Sequence, residues 1–386
     1  MYRRIRKLLL NYIPDVARTG ILCAMPSLYP AFEIKPSSCN IMLTNRCNLR
    51  CVMCGQWRQK PREELKTEDW KKIMDDLRRN GFRNIHFTGG EPLLRKDLNE
   101  LVSYCNKAGF TVGMTTNGVL LDSGALNALI DSGLRSVALS VDALGECYEH
   151  IRGISGSFDK LKIAASAVAE AKASRGIDAY INFTLMKGNI ELFESVKEFA
   201  DSAGLPVALC LLDKTSAIFR LQENEEDFWI GDSESLRKLA GLIGYLKSEM
   251  ASKPGSLILS YPGVDFISGY FDDPRQKNVP CVVSQDRIYV DPYGDVYGGC
   301  LSMGIFGNLG EMRFGDIKDT KRYSAAKKDM FYKKCAGCSC GYLFNMRHVP
   351  GLIIKDISQR ISAACKKSFY ANRRKTRDNN TDKGQA

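Results

Sequence analysis

Between residues 40 and 212, short apolar runs alternate with amphipathic stretches, and this rhythm leaves few folds open. The apolar runs are Ile41–Thr44, Asn84–Thr88, Thr111–Thr115, Ser136–Val141, Ala179–Met186 and Pro206–Leu212. The stretches between them cover roughly 67–80, 96–108, 122–133, 157–174 and 190–203. Gly81, Gly109, Gly133, Gly176 and Gly204 stand where these helices should end, because a left-handed C-cap favours glycine. Strands alternating with helices predict a parallel sheet with right-handed crossovers. The expected fold is therefore α/β: a partial (β/α)6 TIM-like barrel with a small C-terminal cysteine-rich extension, a β-hairpin plus helix. In such sheets the chemistry gathers at the carboxyl ends of the strands.

Three cysteines, Cys47-x3-Cys51-x2-Cys54, follow the first apolar run and so lie at that end. A [4Fe–4S] cube has four irons, each wanting a thiolate. Three local cysteines leave one iron open for a ligand that is not protein. Zinc is the plain competitor, but structural zinc sites usually combine two CxxC pairs or Cys with His. Cys39 and His86 are the nearby candidates for a fourth protein ligand, and neither has zinc-like spacing. The second run ends in Thr88-Gly89-Gly90-Glu91-Pro92. Paired glycines let backbone approach a ligand closely, and the adjoining carboxylate can receive an ammonium group. Taken alone, this segment could equally be an ordinary strand-to-helix turn.

Together these elements resemble the radical SAM enzymes over about residues 38–212. The resemblance implies that Cys47, Cys51 and Cys54 hold a [4Fe–4S] cluster completed by S-adenosylmethionine (SAM). It implies SAM contacts from Gly89, Gly90, Glu91, Asn117, Ser140, Asp142 and Arg152. It also implies a low-potential electron donor of the flavodoxin or ferredoxin type. The expected activity is reductive cleavage of SAM to a 5′-deoxyadenosyl radical, which then takes hydrogen from a substrate. No catalytic side chain beyond the cofactor ligands is named. The three histidines are His86, His150 and His348, which gives acid–base or triad chemistry little to use. There is neither a P-loop nor a GxGxxG fingerprint. Cys147 is the best-placed other thiol, though a small packed residue is its simpler role.

A second cysteine set comprises Cys281, Cys300, Cys335, Cys338 and Cys340, with a hairpin expected around Pro292-Tyr-Gly-Asp295. Two cysteines flanking a hairpin plus a distant CxxC make four thiolates, enough for one closed iron–sulfur or zinc site. Beside a radical SAM core, this segment resembles the SPASM and Twitch extensions, which bind auxiliary clusters. It departs from the full seven-cysteine pattern. Gly294 lies one residue farther from Cys300 than usual, and CxxCxC replaces the longer terminal run. The shorter, Twitch-like arrangement is therefore expected, with one auxiliary [4Fe–4S] cluster on Cys281, Cys300, Cys335 and Cys338. Cys340 could replace Cys335, or serve a second cluster with Cys365.

The chain then divides into a basic lead-in (1–37), the radical SAM core (38–212) and a connecting region (213–280). The auxiliary domain (281–345) and an amphipathic helix with a basic tail (346–386) follow. The connecting region holds one clear helix, near 233–251, among turn-rich sequence. The net charge of +11 sits mostly at the two ends. Ile5, Leu8, Leu9 and Tyr12 form one helical stripe among basic residues, and Ile353, Ile354, Ile357, Ile361 and Ala364 form another. These are read as helices packed on the domain or, more sharply, as reversible contacts with an anionic membrane surface. No nucleic acid partner is expected. Fourteen cysteines without a credible signal peptide suggest a reducing cytoplasm, with the protein peripheral at the inner face of the membrane if the ends bind lipid.

The substrate is expected to be a small molecule, a lipid-linked molecule or a peptide. No leader-peptide-binding domain is evident, which disfavours a dedicated peptide or protein maturase but leaves it as the alternative. A non-catalytic iron–sulfur or zinc scaffold has no reason to keep one iron open. Radical methyl transfer would want a further nucleophilic cysteine, for which Cys147 is the modest candidate, or a cobalamin domain.

Overall fold

The computed structural model describes residues 21–22, 25–31, 34–60, 62–213, 225–274, 281–332, 334, 338, 353–360 and 362. Among the described residues, nine strands form one sheet. They are β1 (Ser38–Met42), β2 (Asn84–Thr88), β3 (Thr111–Thr116), β4 (Leu134–Ser140), β5 (Asp178–Leu185), β6 (Val207–Leu211), β7 (Arg287–Val290), β8 (Asp295–Tyr297) and β9 (Ile305–Asn308). The spatial order is β6-β5-β4-β3-β2-β1-β7-β8-β9. Helices α1 (Thr67–Arg79), α2 (Leu98–Lys107) and α3 (Ser123–Ser132) make the first crossovers. Helices α4 (Gly145–Arg152), α5 (Ser157–Arg175) and α6 (Phe193–Ser202) make the rest.

Side-chain alternation explains the layering, because successive strand residues point to opposite faces. On β5, Ala179, Ile181, Phe183 and Leu185 are buried while Tyr180, Asn182 and Thr184 are half-buried. The buried set joins one core with helical residues such as Trp70, Ile73, Met74 and Leu77, which share a face of α1. Local caps fix the ends. Asp122 accepts a hydrogen bond from Ala125 N at 2.8 Å, and Gly133 closes α3 in the left-handed region.

The six strands β1–β6 are parallel, as the rhythm predicts. The expected hairpin around Pro292-Tyr-Gly-Asp295 is present as β7 and β8, and it is joined to the main sheet. Strand β7 pairs in parallel with β1, from Ser38↔Arg287 to Ile41↔Val290, and β8 and β9 continue antiparallel. Both edges of β1 are thus occupied, by β2 and β7, and β6 does not pair with it: among the described residues the sheet stays open. Segment 256–258 covers the free edge of β6, where Ile258 N donates to Val207 O.

Among the described residues, the connecting region holds two α-helices instead of one. Helix α7 (Ser233–Ser252) matches the expectation, and α8 (Tyr261–Tyr270) falls in the stretch whose prolines, Pro262 among them, predict turns. Proline at a helix start needs no N–H partner, and Ser260 caps this end by accepting from Gly263 N. After the short α9 (Val283–Asp286), helices α10 (Phe314–Lys318) and α11 (Lys321–Phe331) tie the extension to the core. Phe314 N donates to the buried Asp76 carboxylate at 2.6 Å, and Lys327 Nζ donates to Ile34 O and Gln285 O.

The expected stripe at residues 5–12 lies outside the described residues, as do Ile361 and Ala364. Residues 353–360 are helical. They attach through polar contacts: Asp356 accepts from Tyr261 N at 2.9 Å, and Arg360 Nη2 donates to Leu259 O. Ile353, Ile354 and Ile357 are left exposed. Among the described residues, no helix is long and apolar enough to cross a membrane.

Candidate functional site

The loop carrying the three cysteines leaves the carboxyl end of β1 and is clamped from three directions. The turn after β2 holds it first: Gly90 N donates to Thr44 O at 2.7 Å and Glu91 N to Arg46 O at 2.9 Å. A Cβ on Gly90 would stand 2.1 Å from Arg46 O, so no larger residue allows this approach. The end of α4 holds it second, with Arg50 N donating to Arg152 O and Val52 N to Ile151 O, each at 2.9 Å. The tip of the β7–β8 hairpin holds it third, where Asn45 Nδ2 donates to Tyr293 Oη at 2.8 Å.

Inside these clamps is a cavity of about 210 Å³, lined by Cys47, Cys51 and Cys54. Gly89, Gly90, Asn117, Ser140 and Arg152 line it too, so eight sequence-predicted residues meet at one site. Among the described residues, no three His, Cys, Asp or Glu side chains gather on one point as ligands of a single ion would. The thiols are spread around the cavity.

Arg152 is the charged centre of the site. Its Nη2 lies 2.7 Å from Asp142 Oδ2, and its Nη1 donates to Cys51 Sγ at 3.6 Å. Burial works against its charge, but Asp142 and Cys51 outweigh that, so it stays protonated. Asp142 does not line the cavity; it stands behind Arg152 and also accepts from Thr184 N at 2.7 Å. Among the described residues, Arg152 Nε and Asn48 Nδ2 are buried and meet no hydrogen-bond partner. Burial pushes the Cys54 thiol up to about 12 and raises that of Cys47. Metal binding there must therefore displace thiol protons.

Glu91 is also placed behind the cavity. Its carboxylate is fully buried and accepts from Leu93 N, Thr116 Oγ1 and Asn117 N. Burial pushes it up to about 7 in spite of these donors. In this arrangement Glu91 ties the turn after β2 to the loop after β3. His86 is packed within the sheet, its Nε2 2.8 Å from Thr115 Oγ1, and burial lowers it to about 4. Cys147 is exposed on α4.

Several lining residues escaped the sequence reading, among them Trp57, Thr115 and Thr184. Trp57 donates from Nε1 to Cys51 O at 3.3 Å, and Thr115 and Thr184 sit near the carboxyl ends of β3 and β5. Only that position in the strands could have pointed to the threonines. Of the second cysteine set, Cys281 is buried ahead of α9, Cys300 precedes the short turn Leu301–Met303, and Cys338 is buried. Cys335, Cys340 and Cys365 lie outside the described residues.

The donor set fits a cluster of the expected kind: three thiols around one cavity, a close glycine backbone and a buried cation beside Cys51. Family comparison agrees. Residues 41–202 match the radical SAM superfamily and residues 281–339 match the iron–sulfur cluster-binding SPASM domain. The chain belongs to the radical SAM superfamily and carries a C-terminal SPASM domain. Among its relatives, the Fe-coproporphyrin III synthase of Methanosarcina barkeri is 36% identical over 166 residues, 42% of this chain and 41% of that one. A PqqA peptide cyclase of Granulibacter bethesdensis is 35% identical over 165 residues, 42% of this chain and 43% of that one. The matches thus span less than half the length of these curated relatives. Among solved structures, native anSMEcpe with bound AdoMet superimposes with a TM-score of 0.60 at 18% identity, covering 87% of this chain and 99% of that one. Streptococcus suis SuiB bound to S-adenosylmethionine gives 0.58 at 17% identity, covering 76% and 68%. At such identities the likeness is one of fold.

Proposed function

We propose that this chain reductively cleaves SAM at a [4Fe–4S] cluster held by Cys47, Cys51 and Cys54, and uses the resulting radical to take hydrogen from a substrate carbon. The observation that carries this reading is the meeting of the three thiols, the Gly89-Gly90 backbone and the Asp142–Arg152 pair around one cavity. When bound, the cluster with its open iron supplies the electron that splits the sulfonium. The protein's own part is to position and to shield. Gly89 and Gly90 bring backbone to the ligand, Asn117 and Ser140 offer polar contacts, and Arg152 holds positive charge beside Cys51. A flavodoxin or ferredoxin type of donor delivers the electron.

The SPASM match supports an auxiliary [4Fe–4S] cluster. We assign it to Cys281, Cys300, Cys335 and Cys338, with Cys340 as the replacement ligand. Bound there, it would supply an acceptor for an electron from the substrate radical, which suits a net oxidation or a bond-forming modification. The test is a count of iron and sulfide per chain after anaerobic reconstitution. About eight irons, falling to about four when Cys47, Cys51 and Cys54 are all changed to Ala, supports two clusters. About four falling to none, with zinc present, overturns the auxiliary role.

Peptide modification is the second reading. It rests on matches to several PqqA peptide cyclases, each over less than half of this chain. The exposed Ile353, Ile354 and Ile357 beside Lys355 also support a lipid contact, which suits a lipid-linked substrate.

A further inference from the structure

We infer that Tyr293, at the tip of the β7–β8 hairpin, is a positioning residue for the first cluster site. It belongs to the C-terminal domain, yet its hydroxyl lies in the loop that carries the first cysteine set. Asn45 Nδ2 donates to Tyr293 Oη and to Gln59 Oε1, each at 2.8 Å. Gln59 Nε2 donates to Gln56 Oε1 at 3.1 Å, and Gln56 Nε2 donates to Asn45 Oδ1. The three side-chain amides thus close a ring, and Tyr293 anchors it from outside. Gln56 is itself buried, and its backbone N–H points at Cys54 Sγ, 3.4 Å away. A continuous chain of contacts therefore runs from the hairpin tip to a cluster ligand.

The hairpin tip is built to hold still. Tyr293 N and Asp295 N both donate to Asp291 Oδ1, and Asn308 Nδ2 donates to Tyr293 O at 2.9 Å. Gly294 turns the chain at φ +92°, where a Cβ would meet Asn308 Oδ1 at 2.8 Å. The Arg62 guanidinium lies 3.9 Å from the centre of the Tyr293 ring, and Leu65 N donates to Pro292 O. So the hydroxyl is fixed relative to the sheet, and through Asn45 it holds the cysteine loop in place.

Hydrogen bonds onto cluster sulfurs stabilise the reduced, more negative state and raise the potential. Removing the Tyr293 hydroxyl frees the amide ring, weakens the N–H contact to Cys54 and lowers the potential of that cluster. The proposal rests on the reading that Cys47, Cys51 and Cys54 hold it.

The test uses Tyr293→Phe in the full-length reconstituted protein. The readouts are iron content, apoprotein melting temperature and the midpoint potential of the cluster whose electron paramagnetic resonance signal responds to SAM. Iron content and melting temperature should stay as in the unaltered protein while the potential moves to more negative values. Asn45→Ala should shift it the same way, and adding Tyr293→Phe to Asn45→Ala should shift it no further. An unchanged potential in Tyr293→Phe, or shifts that simply add in the double variant, overturns the relay. If Tyr293→Phe loses iron, loss confined to the SAM-responsive cluster at unchanged melting temperature supports positioning. A general loss or a lowered melting temperature means a structural role and overturns it. If the unaltered protein shows no SAM-responsive cluster, the functional reading has failed instead.

Discussion

Arg152 joins Asp142 to Cys51: one terminal nitrogen sits 2.7 Å from the buried carboxylate, and the other lies 3.6 Å from the thiol sulfur. Both charged side chains are buried, at 6% and 2% exposure. The guanidinium cannot lose its proton, so positive charge stays against the cysteine whatever the pH.

That geometry predicts a double cost for Arg152→Met. Removing one partner leaves Asp142 as an uncompensated buried charge, which costs about 3–5 kcal/mol. The Cys51 thiolate also loses its neighbouring cation, so reconstituted iron falls. Asp142→Asn combined with Arg152→Met should recover part of the stability but not the iron. Urea denaturation and iron analysis check both. If stability returns together with full iron loading, Arg152 is not part of the site.

Glu91 makes stability depend on pH. Burial raises its carboxyl to about 7 in the folded chain, above the ordinary value of about 4.3 when unfolded. Between those values the folded state holds the proton and the unfolded state does not. Stability therefore falls as pH rises through that window, and the loss is complete above about 7. Glu91→Gln should remove this component from apoprotein unfolding curves measured from about pH 5 to about pH 8. It should also cost about 1–3 kcal/mol, because its amide nitrogen meets a backbone donor, Asn117 N. A variant with an unchanged pH slope would contradict the assignment.

Gly90→Ala should disrupt the loop more than any surface change. The added carbon would stand 2.1 Å from Arg46 O, a backbone atom that cannot swing away. The expected cost is about 3 kcal/mol or more, the upper range for overpacking. Iron binding should fall with it, because the displaced segment carries Cys47. Thermal melting and iron content together test this. Normal values for both would mean the close approach is not needed.

The helix at 353–360 gives a prediction at the surface. Asp356 and Arg360 face the domain while Ile353, Ile354 and Ile357 face outward. Sedimentation with anionic liposomes at low salt should carry the protein down, and Ile354→Asp with Ile357→Asp should largely release it. Failure of the unaltered protein to sediment would end the lipid reading.

Much of the fold could be read in the sequence because its signals are local. The strand at Asn84–Thr88 has the predicted limits, and the helix at Ser157–Arg175 ends at the expected glycine. Three features could not be read this way. Pairing of β7 with β1 joins segments far apart in the chain, and nothing within either segment announces the neighbour. Pro262 and Gly263 look like turn residues until Ser260 is seen to cap them. The type of Glu91 was suggestive but its direction was not: only tertiary structure shows the carboxylate facing Thr116 and Asn117. The cysteine run and the strand-end residues that line the cavity were legible because they must lie on the same side of a parallel sheet, whereas Arg152, at the end of α4, was suggested by the family resemblance alone.

The most direct test of the account is SAM turnover. The reconstituted protein would be mixed with SAM and a low-potential reductant without oxygen, and 5′-deoxyadenosine and methionine would be measured over time. The account predicts that both form in equal amounts, and that neither forms when Cys47, Cys51 and Cys54 are changed to Ala. A fully iron-loaded protein that binds SAM yet yields no 5′-deoxyadenosine above that variant would contradict it.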